Sequence, residues 1–517
     1  MPHRSTDVPA ARVPADGPPG PGDAPISASD LDTCLRVLAA AGRGALDGPA
    51  ALAVERAVAE AHRGGKKRRK ADRAATREQA DRRLLATASR YREEIPAATA
   101  RHHAAVAHDT RPAPNLPPTP DGPDVLPPGP DDRRRAQPGP GPQPVAPPEP
   151  GARAAPTLLH RPRRCYVCKE RFRQVDADYH QLCPPCAEQN RQRRDARCDL
   201  TGRRAVVTGG RVKIGFHIAL KLLRDGADVL VTTRFPHDAA RRFAALPDAS
   251  EWSHRLHVHG ADFLDLAGVV GLVDAVGQRW DHLDILVNNA AQTLHRPAAY
   301  HREVRAAELL PLTGPAAAIG TTATRHRPDT AVVLPELAQA LFPAGHTDET
   351  GQPLDLREVN SWTLHAHDVS PREWLEVHVV NAFVPFLLTS RLRPLLAAAP
   401  SAMRHVVQVS AMEGSFSREN KTQRHPHTNM AKAALNMLTR TLADDYHGDG
   451  ILMNSVDTGW VTDERPHPDK QAQREAGFRP PLDVIDGAAR VYDPIVRAEA
   501  GDPVHGAFLK DYRQVAW

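Results

Sequence analysis

The sequence predicts an α/β chain whose C-terminal part, residues 199–517, is a doubly wound parallel sheet. A small zinc-binding module and a helical, partly disordered N-terminal region precede it. Three observations lead there. From about Leu200 onward, short apolar β-branched runs alternate with amphipathic segments of helical period. Two Cys-x-x-Cys pairs stand just upstream. Before them lies a stretch in which roughly a third of positions are proline, with Gly and Arg between.

Taken in order, residues 1–26 carry no periodic pattern and are expected to be disordered. Ser27 or Ser29 is a helix start signal, and Leu31, Leu35, Val37 and Leu38 follow at roughly helical spacing. A second helix is expected through Ala51–Ala61 and another over 74–94, where Ala, Arg, Glu and Leu dominate. Between them Lys66, Lys67, Arg68, Arg69 and Lys70 concentrate basic charge, which suits phosphate, an acidic partner or simply a solvated face. Residues 27–108 thus read as a helical region and 109–160 as an unpacked Pro-rich linker.

A chain of 517 residues with 41% hydrophobic content can bury a sizeable core and should hold more than one folded unit. No apolar run reaches the length of about eighteen residues that a membrane span needs, and the N-terminus has no apolar signal core. A cytoplasmic protein is therefore expected. Four of its six cysteines fall in two pairs, which suits a metal site in a reducing compartment better than a disulfide framework.

Cys165 and Cys168 form the first knuckle, Cys183 and Cys186 the second, with fourteen residues between them. Each short knuckle aims two thiolates at one ion, and the residues between can form a hairpin that completes a closed tetrahedral zinc site. With sulfur at all four positions the zinc is structural, leaving no place for substrate. A redox pair is the alternative, disfavoured by the second knuckle. His180 is an alternate ligand, and Cys34 and Cys198 read as ordinary thiols. Arg163, Arg164, Lys169, Arg171, Arg173, Arg191, Arg193 and Arg194 give the module a basic surface. A protein contact or docking onto the adjoining domain is favoured over nucleic acid.

The strands expected in the C-terminal part are Ala205–Val207, Asp228–Thr232, Leu256–Val258, Leu283–Val287, Val406–Val409 and Ile451–Val456, with a helix over Ile214–Arg224. This order suits a Rossmann fold, in which ligands sit beyond the carboxyl ends of the strands. Thr208-Gly209-Gly210-Arg211-Val212-Lys213-Ile214-Gly215 follows the first strand, where small residues let backbone approach a pyrophosphate at a helix N-terminus. The second strand ends in Thr232-Thr233-Arg234, with arginine where NAD would need a carboxylate. Arg234 suits a ribose 2′-phosphate, so NADP is preferred to NAD.

These features, with Asp262, Asn288-Asn289-Ala290-Ala291, Asn381, Gln408–Gly414 and the helix His427–Arg440, resemble the short-chain dehydrogenase/reductase family over about residues 199–517. Gly209 and Gly215 match its Thr-Gly-x-x-x-Gly-x-Gly turn, while Lys213 replaces the middle glycine and either clashes with phosphate or adds a cation. The resemblance implies cofactor contacts from Gly209, Arg211, Lys213, Ile214, Gly215, Arg234, Asp262, Asn288, Ala290, Lys432 and Gly459. Asn288 and Asn289 equally suit backbone groups between strands. Gly459 lies in Asp457–Asp463, which resembles the family's nicotinamide-covering Pro-Gly-x-Val-x-Thr segment; Trp460 closes over a ligand or fills the lid.

The reaction site departs from the family. There, Tyr stands four residues before Lys, which holds the nicotinamide ribose and lowers the phenol pKa. Lys432 is present, but Thr428 occupies the tyrosine position, and none of the seven tyrosines has a lysine four residues later. A threonine hydroxyl is far less acidic and several ångströms too short. Ala411 occupies the family's serine position; Ser410, one residue away, substitutes only if the strand end twists or bulges. Asn381 matches the asparagine whose carbonyl holds a water leading to the lysine. His425 and His427 are candidate replacement acids, with Glu413 and Asp457 further ionisable groups.

An insertion at about 295–370, carrying Trp362, His365, His367 and Asp368, forms a cover over the strand ends, a surface excursion or an oligomer contact. Two functions follow. One is an NADP-dependent oxidoreductase with an altered proton donor, acting on an unspecified carbonyl or alcohol. The other is a catalytically silent dinucleotide-binding protein whose zinc module and basic arm engage a protein partner. A homo-oligomer is among the expected partners; a membrane is not.

Overall fold

The computed structural model describes residues 26–89, 158–323, 339–348, 350–419 and 421–517. Nearly all of the span 1–26 expected to be disordered, and most of the Pro-rich linker, lie outside the described residues. The chain divides into Met1–Gln79 and Ala80–Trp517.

Helix α1 (Ala28–Gly42) opens on a capping box: Asp30 N donates to Ser27 Oγ at 3.2 Å and Ser27 N to the Asp30 carboxylate at 3.0 Å. Its Leu31, Leu35, Val37 and Leu38 are exposed. Helix α2 runs unbroken from Gly48 to Leu85, 38 residues, and replaces the separate helices expected over 51–61 and 74–94. Gly64 and Gly65 cost a helix about 1 kcal/mol each relative to alanine. That is too little to terminate a segment otherwise made of Ala, Arg, Lys and Glu.

In the second unit, β1 (Leu158–Arg164) and β2 (Arg171–Gln174) form an antiparallel hairpin. The first knuckle is its turn, so the hairpin brackets Cys165 and Cys168 rather than filling the interval between knuckles. Cys183 caps the next helix, α3 (Pro184–Asp195), and Cys186 lies in its first turn.

The sheet is built from β3 (Arg204–Val207), β4 (Asp228–Thr233), β5 (Leu256–Gly260), β6 (Ile285–Asn288), β7 (Gly320–Ala323), β8 (Arg404–Ser410), β9 (Ile451–Asp457), β10 (Phe508–Lys510) and β11 (Arg513–Val515). Its order is β11-β10-β9-β8-β6-β3-β4-β5-β7, parallel except for β11. The expected strands are all present. The sequence reading missed β7, which the insertion adds at one edge, and β10 and β11 at the other.

Helices of eight residues or more cover both faces. Ile218, Leu222 and Leu223 of α4 (Lys213–Arg224), Phe243 of α5 (Pro236–Ala244) and Tyr492 and Ile495 near the C-terminus pack on Val207, Val229 and Val231. Leu272 and Val276 of α6 (Leu266–Arg279) pack on the opposite face with Val206, Leu230, Leu286 and Val406. Neighbouring Val206 and Val207 thus enter different cores, as a strand buried on both faces requires.

Helix α7 (Pro371–His378) continues through a π turn (Val379–Phe383) into α8 (Val384–Ala397). This run has the length and hydropathy of a membrane span. Its Val384, Leu388, Leu392 and Leu396, however, are buried against the sheet. The remaining long helices are α9 (Pro426–His447), α10 (His467–Glu475) and α11 (Val484–Glu499).

Candidate active site and metal centre

The turn after β3 is compact because two glycines admit backbone where side chains cannot fit. Gly209 has φ +69°, and a Cβ on Gly215 would lie 2.3 Å from Gly209 O and 2.4 Å from Asn289 Nδ2. Asn289 Nδ2 donates to Thr208 O at 2.9 Å and Gly209 O at 3.2 Å, while Thr208 Oγ1 accepts the N–H groups of Asn289 and Ala290, each at 2.9 Å. Asn289 therefore shapes the loop. Asn288 is buried and donates to Thr389 Oγ1 and Gln408 Oε1, which makes it a bracket between strands and helix, away from the cavity wall.

Lys213 keeps the backbone a glycine would adopt, with φ +53°. Its Nζ lies 3.2 Å from Glu464 Oε1 in the segment after β9. Burial opposes charge on Lys213, but Glu464 and Asp348 outweigh it and raise the pKa. Burial likewise opposes ionisation of Glu464, yet Lys213 and Lys470 hold it at about 2.

A cavity of about 1400 Å³ opens at the carboxyl ends of the strands. Gly209, Arg211, Lys213, Ile214, Gly215, Arg234, Asp262, Ala290, Lys432 and Gly459 all border it, so the structure brings together every expected cofactor residue except Asn288. Arg211 is held by Asp238 at 2.6 Å and Gln352 at 3.3 Å. Arg234 is exposed on the wall, its Nη2 3.1 Å from His301 Nε2. Burial and then the neighbouring Arg234 push the His301 pKa far down, so this histidine is neutral and adds no competing charge.

At the reaction end, Lys432 is buried and its Nζ donates to Val409 O at 2.7 Å. Burial lowers its pKa to about 8, against the pull of Glu413. Asn381, in the π turn, grips Gln292 through both amide atoms: Oδ1 accepts Gln292 N at 2.6 Å and Nδ2 donates to Gln292 O at 3.0 Å.

The candidate proton donors fare differently. Thr428 is buried away from the wall, its hydroxyl without a partner among the described residues. His427 is fully buried off the wall, with Nε2 3.4 Å from Glu373 Oε1. Ser410 borders the cavity, but β8 pairs regularly with β9 through Ser410. No bulge redirects it, and its hydroxyl donates inward to Asn436 Oδ1 at 2.5 Å. His425 reaches the wall, stacked on Trp362 with ring centroids 4.1 Å apart. Asp457 is occupied: Oδ1 accepts Gly459 N, and Oδ2 accepts Met412 N and Lys510 Nζ. Glu413 accepts from Arg418.

Among the wall residues that sequence reasoning missed are Tyr166, Lys169, His295 and Glu376. Tyr166 and Lys169 come from the first knuckle, which no local pattern tied to the strand ends. His295 comes from the start of the insertion; its Nδ1 lies 2.8 Å from Glu376 Oε2.

The Sγ atoms of Cys165, Cys168, Cys183 and Cys186 lie within 4.8 Å of one another, with Cys168 and Cys183 3.6 Å apart. A tetrahedral zinc with Zn–S bonds near 2.3 Å has sulfur edges of about 3.8 Å, so the cluster fits that ion. His180 is not part of it. Cys183 N donates to Cys165 Sγ at 3.3 Å, the kind of bond that steadies a thiolate ligand. The module docks through α3 onto α11: Arg194 bonds Asp483 and Asp486 at 2.6 and 2.7 Å, and Arg193 bonds Asp493 at 2.8 Å. Arg191 pairs with Asp176. These three arginines are committed within the unit, whereas Arg163, Arg164, Lys169, Arg171 and Arg173 of the expected basic surface are exposed.

Residues 203–311 match the family described as short chain dehydrogenase, and residues 360–477 match the one described as Enoyl-(Acyl carrier protein) reductase. The interval between the two matches falls within the expected insertion. The chain is 33% identical over 353 residues to an uncharacterized protein of Acanthamoeba polyphaga mimivirus, covering 64% of this chain and 71% of that one. It is 26% identical over 322 residues to carbonyl reductase (NADPH) 1 of Sus scrofa, covering 60% and 93%. Against the C-signal protein of Myxococcus xanthus it is 30% identical over 152 residues, covering 29% and 82%.

Proposed function

Because this chain belongs to the short-chain dehydrogenase/reductase family, we propose that it is an NADP-dependent oxidoreductase, transferring hydride between nicotinamide and a carbonyl or alcohol with an altered proton donor. One observation carries the reading: a single cavity joins the glycine turn, the exposed Arg234 and the buried Lys432. The turn offers backbone amides to a pyrophosphate. Arg234, standing where a carboxylate would exclude it, offers a guanidinium to a 2′-phosphate. Lys432 would hold the nicotinamide ribose. Bound NADPH supplies the hydride; the chain's residues bind, orient and move protons. The NADPH-named carbonyl reductase relative supports the cofactor preference.

The four cysteines would hold a structural zinc, consistent with a reducing, cytoplasmic setting. Exposed Phe383, Phe386 and Met437 line one apolar groove between α8 and α9, which supports a homo-oligomer. The inward-turned Ser410 hydroxyl and buried Thr428 favour a second reading, a catalytically silent dinucleotide-binding protein with a protein partner.

Calorimetry with NADPH and NADH, run beside metal analysis, tests the first reading. NADPH is expected to bind more tightly, Arg234→Asp to reverse the preference, and one zinc to be found per chain. If neither nucleotide binds, both readings fail.

A further inference from the structure

We propose that His295, oriented by Glu376, is the proton donor that replaces the family's tyrosine; the assignment rests on the oxidoreductase reading above. His295 follows the Asn288–Ala291 turn at the carboxyl end of β6 and stands on the cavity wall that also carries Lys432. Its Nδ1 is 2.8 Å from Glu376 Oε2 on α7. An imidazole whose Nδ1–H is held by a carboxylate keeps Nε2 as the working atom, with ring orientation and tautomer fixed.

The carboxylate is itself built in. Glu376 is 9% exposed and also accepts Arg372 Nε at 2.8 Å and Gln292 Nε2 at 3.1 Å. Gln292 is in turn gripped by Asn381, so the dyad is fastened to the π turn of the reaction site. The bonds from His295, Arg372 and Gln292, in that order, outweigh the cost of burial and hold the Glu376 carboxyl at about 2, keeping it ionised as a partner for the ring. The backbone is fixed as well: His295 N donates to Ser361 Oγ at 2.7 Å and Arg357 Nη2 donates to His295 O at 3.1 Å. The His295 side chain retains 31% exposure, unlike buried His427 and His301. His425 shares the wall but stacks on Trp362 and has no carboxylate bonded to its ring among the described residues.

In carbonyl reduction, hydride for the carbon comes from the reduced nicotinamide. The proton required by the oxygen leaves Nε2 of the doubly protonated ring, the N–H electron pair stays on nitrogen to give the neutral Nδ1–H tautomer, and solvent at the cavity mouth reprotonates Nε2. Glu376 acts as a positioning residue, since it reaches the reaction through the imidazole.

The test uses the full chain with NADPH and para-nitrobenzaldehyde as the probe carbonyl. His295→Ala is expected to lower kcat by about 100-fold or more, the range for a lost general acid, while NADPH affinity by calorimetry stays within about twofold. Added imidazole is expected to restore part of the rate in His295→Ala. Glu376→Gln is expected to give a smaller loss that imidazole does not restore. Nitrogen NMR of the nucleotide-free protein, with His295→Ala assigning the signal, is expected to show Nδ1 protonated. Wild-type protein that binds NADPH yet reduces the aldehyde no faster than His295→Ala overturns the assignment. So does a variant whose NADPH affinity falls as far as its turnover. Wild-type protein that binds no NADPH removes the oxidoreductase reading beneath it, a failure visible separately.

Discussion

The phenol oxygen of Tyr166 accepts the backbone N–H of Trp460 at 2.9 Å. Tyr166 lies inside the first Cys-x-x-Cys knuckle, and Trp460 adjoins Gly459 in the segment expected to cover the nicotinamide. Val461 from that segment and Leu482 pack into the apolar cluster around the four cysteines. Burial raises the Tyr166 pKa to about 12, so the phenol is neutral across the working pH range. The four-cysteine module thereby braces the segment that carries Trp460.

Metal removal should therefore weaken nucleotide binding even though no cysteine borders the cavity. Stripping zinc leaves the knuckle without the ion that fixes it, and the support under Trp460 loosens. Tyr166→Phe removes the hydrogen bond alone, about 1 kcal/mol or roughly fivefold in affinity. Calorimetry with NADPH, before and after chelation, checks both. An unchanged affinity in zinc-free, still-folded protein would show that the module is independent of the site.

Gly215→Ala should abolish nucleotide binding and destabilise the domain by about 1–3 kcal/mol, the usual range for overpacking. The new methyl would meet the Gly209 carbonyl and the Asn289 amide, and neither is the free end of a flexible chain. Both also define the turn. Denaturant melts and NADPH titration of the purified variant measure the two effects. A fully stable, tightly binding alanine variant would show that this turn has another conformation available.

The sheet was legible because β-branched runs buried on both faces leave a strong local signal, as at Val206 and Val207. The four-cysteine cluster was legible because two knuckles suffice to define it. What lay beyond reach depends on partners distant in sequence. Tyr166 and Trp460 are 294 positions apart. His295 and Glu376 are 81 apart, joined only because the insertion returns the chain to α7. Whether Ser410 faces the cavity depended on a bulge that no local residue specifies. Lys213 is an intermediate case: its place in the turn was clear, but its pairing with Glu464 was not.

Thr428→Val tests directly whether the residue in the tyrosine position takes part in the reaction. The Thr428 hydroxyl is buried, without a partner among the described residues, and off the cavity wall. Replacing it with an isosteric methyl removes the desolvation cost of an unbonded hydroxyl, so stability should be unchanged or rise by up to about 1 kcal/mol. NADPH-dependent turnover should be retained. A loss of turnover with intact folding and cofactor affinity would return Thr428 to the catalytic machinery.

The pair formed by Lys213 and Glu464 gives the domain an acid-labile contribution to stability. Glu464 falls from an ordinary value of 4.5 to about 2 in the folded protein. A carboxylate depressed in the folded state stabilises it fully above the unfolded pKa, and that stability is lost as pH falls through the folded one. The window is thus from about 4.5 down to about 2, and a shift of this size is worth up to about 3 kcal/mol. Glu376 and other depressed carboxylates titrate in the same window, so the useful quantity is a difference between proteins. Wild type should lose up to about 2 kcal/mol more than Glu464→Gln between pH 5 and pH 3, read from urea melts at each pH. Lys213→Gly should abolish most of that excess loss because it removes the cation, while relieving about 1 kcal/mol of left-handed backbone strain at φ +53°. Equal acid sensitivity in all three proteins would show that the ion pair does not form in solution.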